Sequence, residues 1–141
     1  MTEIQSILED LLAETGASRV TLRRDVAGAY AFPVTDEALG DGVRSLRDER
    51  TVDLRTQPVV QELLQGRQVV QDDSAAAYAD PAYQRMLETY GGLAAQIVTP
   101  IFVDDRLFGI VSLHQLGAPR TWSAHEIELC CAAADRVREL L

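Results

Sequence analysis

LAAQIVTPIFVDDRLFGIVSLHQ, residues 93–115, reads as a long β-hairpin: strands Leu93–Val103 and Arg106–Gln115 joined by the two-residue turn Asp104-Asp105. Both strands are apolar on both faces, so the hairpin needs cover on both sides, which calls for helices against each face. Alternation puts Phe108, Ile110, Ser112 and His114 on one face and Leu107, Gly109, Val111, Leu113 and Gln115 on the other. The polar groups of Ser112 and His114 therefore collect on one side of an oily ribbon.

Downstream, Gly117 and Pro119 mark a loop. Ser123 and Glu126 form a capping box that opens a helix running to the chain end, with Ile127, Cys130, Ala134, Val137 and Leu141 as its buried stripe. Upstream, Asp80-Pro81 starts a helix carrying Tyr83, Met86, Leu87 and Tyr90, which stops at Gly91-Gly92. Before it come an Ala-rich loop from Asp72-Asp73-Ser74, a short strand over 68–71, and a helix closed by Gly66. Thr56 reads as the cap of that helix, Pro58 lies in its first turn, and Val59, Val60, Leu63 and Leu64 form its buried face. The charged stretch 40–55 predicts a short helix and loop near the surface. A strand is predicted over 29–34. Another over 18–24 reads as half-buried, with Val20 and Leu22 opposed by Thr21 and Arg23. The chain begins with an amphipathic helix (Ile4, Ile7, Leu8, Leu11, Leu12), with Thr2 and Gln5 as a capping box and Gly16 as its stop.

The 141 residues fit one domain, 1–141, with 47% apolar content and a net charge of −9. That charge excludes a phosphate-backbone surface and disfavours anionic membranes, so neither nucleic acid nor membrane is an expected partner. All thirteen basic residues are arginine, which removes Schiff-base and P-loop lysine chemistry. No apolar run reaches the ~18–20 residues of a membrane span, and the N-terminus lacks a secretory signal, so a cytoplasmic location is expected. Cys130 and Cys131 are adjacent and cannot staple distant segments; no metal-ligand spacing is present.

The order helix, strands, two helices, long hairpin, final helix, together with TPIFVDDRLFGIVSLHQLGAPRTWSAHEIELCCAAADRV (99–137) and PVVQELLQGRQVVQDD (58–73), resembles the GAF family over nearly the whole chain. The resemblance implies an α+β fold, GAF-like and PAS-related. Its central antiparallel β-sheet would carry the terminal helices on one face and, on the other, a ligand cavity closed by the middle helices and loops. Such domains bind cyclic nucleotides, tetrapyrroles or small metabolites and commonly pair through their terminal helices. By the same resemblance His114 matches a cavity histidine of tetrapyrrole-binding relatives, with Gln96 and Val98 facing the cavity beside it. The expected ligand-binding set is His114, Ser112, Gln96, Val98, Tyr83, Tyr90 and Asp73. Each also has a plain structural role open to it: a strand-end histidine bonded to a carbonyl, a serine filling a tight sheet, core tyrosines, a loop-capping aspartate. Arg120 and Trp122 read as loop anchors and His125 as solvated.

Free methionine sulfoxide reductases use this scaffold, but their chemistry needs a nucleophilic cysteine in the cavity wall, and both thiols here fall on the last helix. In light-sensing relatives the cysteine-histidine pair that holds a bilin falls on Tyr83 and Gln84, so no thioether forms. Haem with His114 as axial ligand stays open as an alternative, for which one histidine and a cavity are necessary and not sufficient. The expectation is a non-enzymatic module with no assigned cofactor or metal. It would either sense an unidentified small-molecule ligand or act as an interaction module with a collapsed cavity. It would form a homodimer through its terminal helices and pass its signal to a separate partner protein.

Overall fold

The structure, a computed structural model, describes residues 1–27 and 32–141. Five antiparallel strands form one sheet in the order β2-β1-β5-β4-β3: β1 Arg19–Arg24, β2 Val34–Leu39, β3 Val69–Gln71, β4 Leu93–Val103 and β5 Arg106–Leu116. The helices are α1 Glu3–Thr15, α2 Pro58–Leu64, α3 Pro81–Thr89 and α4 Ala124–Glu139, with short 3-10 turns at Leu54–Thr56 and Ser74–Ala76.

The hairpin β4-β5 forms the middle of the sheet with its turn on Asp104 and Asp105, both at positive φ (52° and 61°). That geometry matches the right-handed strand twist, and aspartate tolerates it better than most side chains. One face of the sheet packs α1 and α4 through Ile7, Leu8, Leu11, Cys130, Ala133, Ala134 and Val137 against Val20, Leu22, Ile97, Val111 and Leu113. The other face carries α2, α3 and the segment 46–54, whose Leu46, Val52 and Leu54 are buried with Val98, Ile110 and Tyr83. The two covers expected for a doubly apolar hairpin are both present.

Several sequence expectations shift. The expected strand over 29–34 begins on residues outside those described; the observed strand starts at Val34 and runs to Leu39. β1 is buried on both faces, under α1 and α4 on the Val20 and Leu22 side and under the α3 end and neighbouring loops on the other, so Thr21 and Arg23 do not face solvent. The segment 40–55 is a largely exposed loop ending in a short 3-10 turn, as expected, and it lowers Leu46, Val52 and Leu54 onto the sheet as part of the roof. Gln57, with no side-chain cap bond, precedes α2, while Thr56 belongs to the preceding 3-10 turn. Thr2 Oγ1 accepts the Gln5 backbone N–H as expected, but the Gln5 side chain donates to Glu9 and to the Glu37 carbonyl, so α1 has half a capping box. Ser123 and Glu126 complete a full one on α4. Leu141 is exposed beyond the end of α4. Leu107 joins the α2/α3 side because a register shift between Ile101 and Phe102 reverses the alternation near the turn.

Candidate functional site

Cross-strand register builds two polar rows on the α2/α3 face. Arg19 stands opposite His114, His114 opposite Gln96, and Gln96 opposite Gln71. In the neighbouring row Glu37, Thr21, Ser112 and Val98 follow one another across four strands. The two rows share a face because their members on one strand lie two residues apart: Arg19 and Thr21, Ser112 and His114, Gln96 and Val98. Above the rows lies an apolar roof of Leu54, Val59, Val60, Leu63 and Met86. Between roof and floor is a cavity of about 40 Å³, lined also by Arg23, Gln57, Tyr90, Gln96, Val98, Ile110, Ser112 and His114. Such a volume holds a few water molecules, well below the ~300–1,000 Å³ of ordinary ligand pockets.

Arg19 organises one end. It is fully buried. Its Nε donates to His114 Nδ1 at 3.1 Å, Nη1 to the Arg44 carbonyl at 3.0 Å, and Nη2 to the Tyr90 carbonyl at 2.7 Å. Burial pulls its pKa down to about 10, with Glu37 pulling the other way, so it stays charged near neutrality. A guanidinium has only donors, so Nδ1 of His114 must accept and the ring proton resides on Nε2. Burial first, then the charges of Arg19 and Arg23, hold the His114 pKa well below its ordinary value.

This has a pH consequence. The unfolded chain takes a proton on this histidine below about pH 6.5, while the folded chain does not. The unfolded state then binds more protons, so stability is complete above that pH and is lost as pH falls through it toward the depressed folded value. Thermal melts from about pH 7 to pH 5 should show this slope, and His114→Gln, whose amide oxygen can still accept from Arg19, should flatten it. An unchanged slope would remove His114 as its source.

Of the expected site residues, the structure brings His114, Ser112, Gln96, Val98 and Tyr90 together on the cavity. Tyr90 stacks on His114 with ring centroids 6.1 Å apart. Tyr83 is buried behind the wall: its hydroxyl donates to the Ser74 carbonyl at 2.7 Å and lies 3.0 Å from Gln71 Oε1, and burial pushes its pKa up to about 12. Gln71 Oε1 in turn accepts from Gln96 Nε2 at 3.0 Å, so Tyr83 reaches the cavity only through two glutamines. Asp73 does not reach it at all; it borders an exterior depression beside Ala75 and Gln84.

Sequence reasoning missed Arg19, Arg23 and Gln57. The arginines alternate like the solvent face of an edge strand, and only the cover over that face of β1 buries them. Gln57 is 4% exposed, lines the cavity, and its Oε1 has no hydrogen-bond partner among the described residues. No local pattern marks it, because its burial is set by how α2 docks.

Arg120 and Trp122 are anchors, as expected. The guanidinium lies 4.6 Å from the indole centroid and bonds the Thr15 carbonyl, Gln115 and Glu126. His125 is exposed. Cys130 is buried against the sheet on the opposite side from the cavity, and burial pushes its pKa up to about 12; Cys131 is exposed. Among the described residues no group of three or more His, Cys, Asp or Glu side chains could hold a metal ion, and no helix is long and apolar enough to cross a membrane.

The family model described as GAF domain matches residues 2–140. A 68-residue stretch is 31% identical to the circadian input-output histidine kinase CikA of Thermosynechococcus vestitus; it covers 48% of this chain and 9% of that protein, so the chain corresponds to a small part of that relative. Among solved structures, the blue-light absorbing form of the Thermosynechococcus elongatus PixJ GAF domain is 26% identical, with a TM-score of 0.72 over 98% of this chain and 86% of that one. The phycoerythrobilin-bound GAF domain of a cyanobacterial phytochrome superposes with a TM-score of 0.77 at 21% identity, over 96% and 81% of the two chains; at that identity it speaks for the fold alone.

Proposed function

Because this chain belongs to the GAF domain family, we propose that it is a cytoplasmic, non-enzymatic sensory module whose small-molecule ligand enters between the β4-β5 hairpin and α2. The observation that carries this reading is the buried Gln57 carbonyl oxygen, without a hydrogen-bond partner among the described residues, on a side chain that lines a small cavity together with a row of hydrogen-bonding side chains. An orphaned buried acceptor costs about 1–3 kcal/mol, so a partner supplied from outside releases stabilisation that the empty domain lacks. His114, Ser112 and Gln96 orient that partner while Val98, Ile110 and Leu63 exclude water.

The cavity as it stands is too small for a metabolite. Gln57 and Met86 border both the cavity and an open depression between 51–56 and α3, which makes them the wall a ligand displaces. Binding therefore favours an arrangement with α2 lifted, and a ligand with greater affinity for that arrangement shifts its population. A bilin such as the one named for the structural relative does not fit these residues: the volume is too small, and both thiols lie on α4 across the sheet.

The test is a metabolite screen by thermal shift on three proteins: the native chain, Gln57→Leu and Ser112→Val. Gln57→Leu should be more stable than the native chain when unliganded, by up to about 1–2 kcal/mol, because it removes the orphaned oxygen. A compound that stabilises the native chain should lose most of its effect in both variants. If every stabilising compound acts equally on all three, the cavity is not its site and the reading falls.

The small volume of the cavity favours one other reading, an interaction module pairing through α1 and α4. Leu8 cannot form that interface, because it is fully buried against the sheet, whereas Leu140 is 43% exposed. A charge at Leu140 that leaves the oligomeric state unchanged in sedimentation counts against it.

A further inference from the structure

The cavity floor carries positive charge that no protein carboxylate directly neutralises. Arg19 and Arg23 are both buried on this face, and neither forms an ion pair among the described residues. Residues 28–31 contain no acid that could supply one. Glu37 is the acid on the same face, opposite Thr21, but its oxygens are taken by Ser45 and the Leu46 N–H, and it pairs with Arg47 at 3.6 Å. The positive field runs against the trend of a chain whose net charge is −9. Charge held away from water is costly unless something pairs with it.

The two arginines differ in how much they have left to give. Arg19 is committed to His114, Tyr90 and Arg44. Arg23 lines the cavity itself. It donates from Nη1 to the Phe32 carbonyl at 3.0 Å and from Nη2 to the Tyr90 hydroxyl at 3.0 Å, with its Cζ 5.6 Å from the Tyr90 ring centroid. That uses two of its five N–H donors among the described residues. Nearby, the Ser112 hydroxyl and the His114 Nε2–H can donate as well. The Gln57 Oε1 is the opposite case, a buried acceptor needing a donor.

We infer that the ligand of this cavity is a small organic anion, a carboxylate or a phosphate, that also bears an N–H or O–H group. The anionic oxygens sit on Arg23, supported by Ser112 and His114, and the donor meets Gln57. This rests on the cavity being the ligand site and adds to it the ligand's charge and hydrogen-bonding pattern. A guanidinium presents paired N–H groups that match a carboxylate or phosphate edge, which a neutral amide cannot satisfy equally.

Fragment titrations followed by NMR test it, with sodium acetate, glycolate, inorganic phosphate and neutral acetamide as probes at constant ionic strength. The readouts are the Arg23 Nε–H and the methyl groups of Val98 and Ile110. The expected result is saturable shifts with acetate or phosphate at least about tenfold tighter than with acetamide, and glycolate tighter than acetate because it adds a donor. The stronger of acetate and phosphate identifies the anion class. Arg23→Gln should erase the preference over acetamide, Arg23→Lys should keep part of it, and Arg138→Gln on the far face should leave it intact.

If Arg23→Gln fails to fold, the acetate-to-acetamide comparison in the native chain decides alone. Equal affinity for acetate and acetamide overturns the anion assignment while leaving the cavity as the site. An acetate advantage without a further gain for glycolate overturns the donor half. No shift at Val98 and Ile110 with any probe overturns both this inference and the reading it rests on.

Discussion

Replacing Arg19 by methionine is expected to cost about 3–5 kcal/mol of folding stability, a large share of what a domain of this size possesses. Methionine fills much of the same volume, so the loss isolates the hydrogen bonds. Two buried acceptors, His114 Nδ1 and the Tyr90 carbonyl, lose their donor together with the half-buried Arg44 carbonyl. Each orphaned acceptor costs about 1–3 kcal/mol, and the sum falls short of full additivity because the loops bearing Arg44 and Tyr90 can relax toward water. Arg19→Lys should recover only part of the loss, since one ammonium cannot bond an imidazole on β5 and two carbonyls in separate loops at once. Urea melts followed by circular dichroism measure both changes. A second readout separates this role from mere packing: without the neighbouring charge, the His114 ring should titrate closer to its ordinary value, visible in its imidazole resonances. A loss under about 1 kcal/mol would mean that Arg19 is a passenger in the core.

Trp122→Ala is expected to cost about 3–5 kcal/mol, for a different reason. The indole fills the junction between the strand edge and the start of α4, and Nε1 donates to the Gln71 carbonyl at 2.9 Å. Its own N–H donates to Asp72 Oδ1 at 3.1 Å, and the Arg120 N–H to the Asp72 carbonyl at 3.0 Å, so the loop before α4 is pinned to the end of β3. Truncation leaves a void, removes the surface on which Arg120 lies, and orphans the Gln71 carbonyl. Trp122→Phe keeps most of the packing and should cost only about 1–2 kcal/mol for the lost hydrogen bond. The consequence extends to the cavity, because the same Gln71 bonds Gln96 and lies beside the Tyr83 hydroxyl. The alanine variant should therefore speed amide exchange in β3 more than in β1. Equal protection losses in the two strands would show that Trp122 supports the fold as a whole and does not clamp this edge.

These two side chains mark how the candidate site is built. Arg19 closes one end of the polar row and Trp122 steadies the other, while between them the roof rests on apolar contacts and an uncapped α2. The rigid parts are strands paired on both sides; the part that must move for a ligand to enter is short and holds a hydrogen-bonding defect at Gln57. Local opening is cheapest where backbone bonds are few and a polar group gains by meeting solvent or ligand.

The amino-acid sequence by itself determined the hairpin, its Asp-Asp turn, the two-sided cover and the helix starts at Thr2, Asp80 and Ser123, because each rests on local chemistry: alternation, capping, and proline or glycine at fixed positions. Strand parity also placed Ser112 and His114 on one face, and the family resemblance set Gln96 and Val98 beside them; pairing across the Asp-Asp turn alone would put Gln96 opposite Leu113, and the bulge beside the turn, which also moves Leu107, is what brings it opposite His114. Only the tertiary structure decided that Arg19 and Arg23 lie beneath the roof, that Tyr83 stands behind the wall, that Asp73 lies outside, and that Gln57 Oε1 lacks a partner among the described residues. Those outcomes depend on which strand lies in the middle of the sheet and how α2 docks on it. Such pairings join residues as far apart as Arg19 and His114, and no window along the chain contains both.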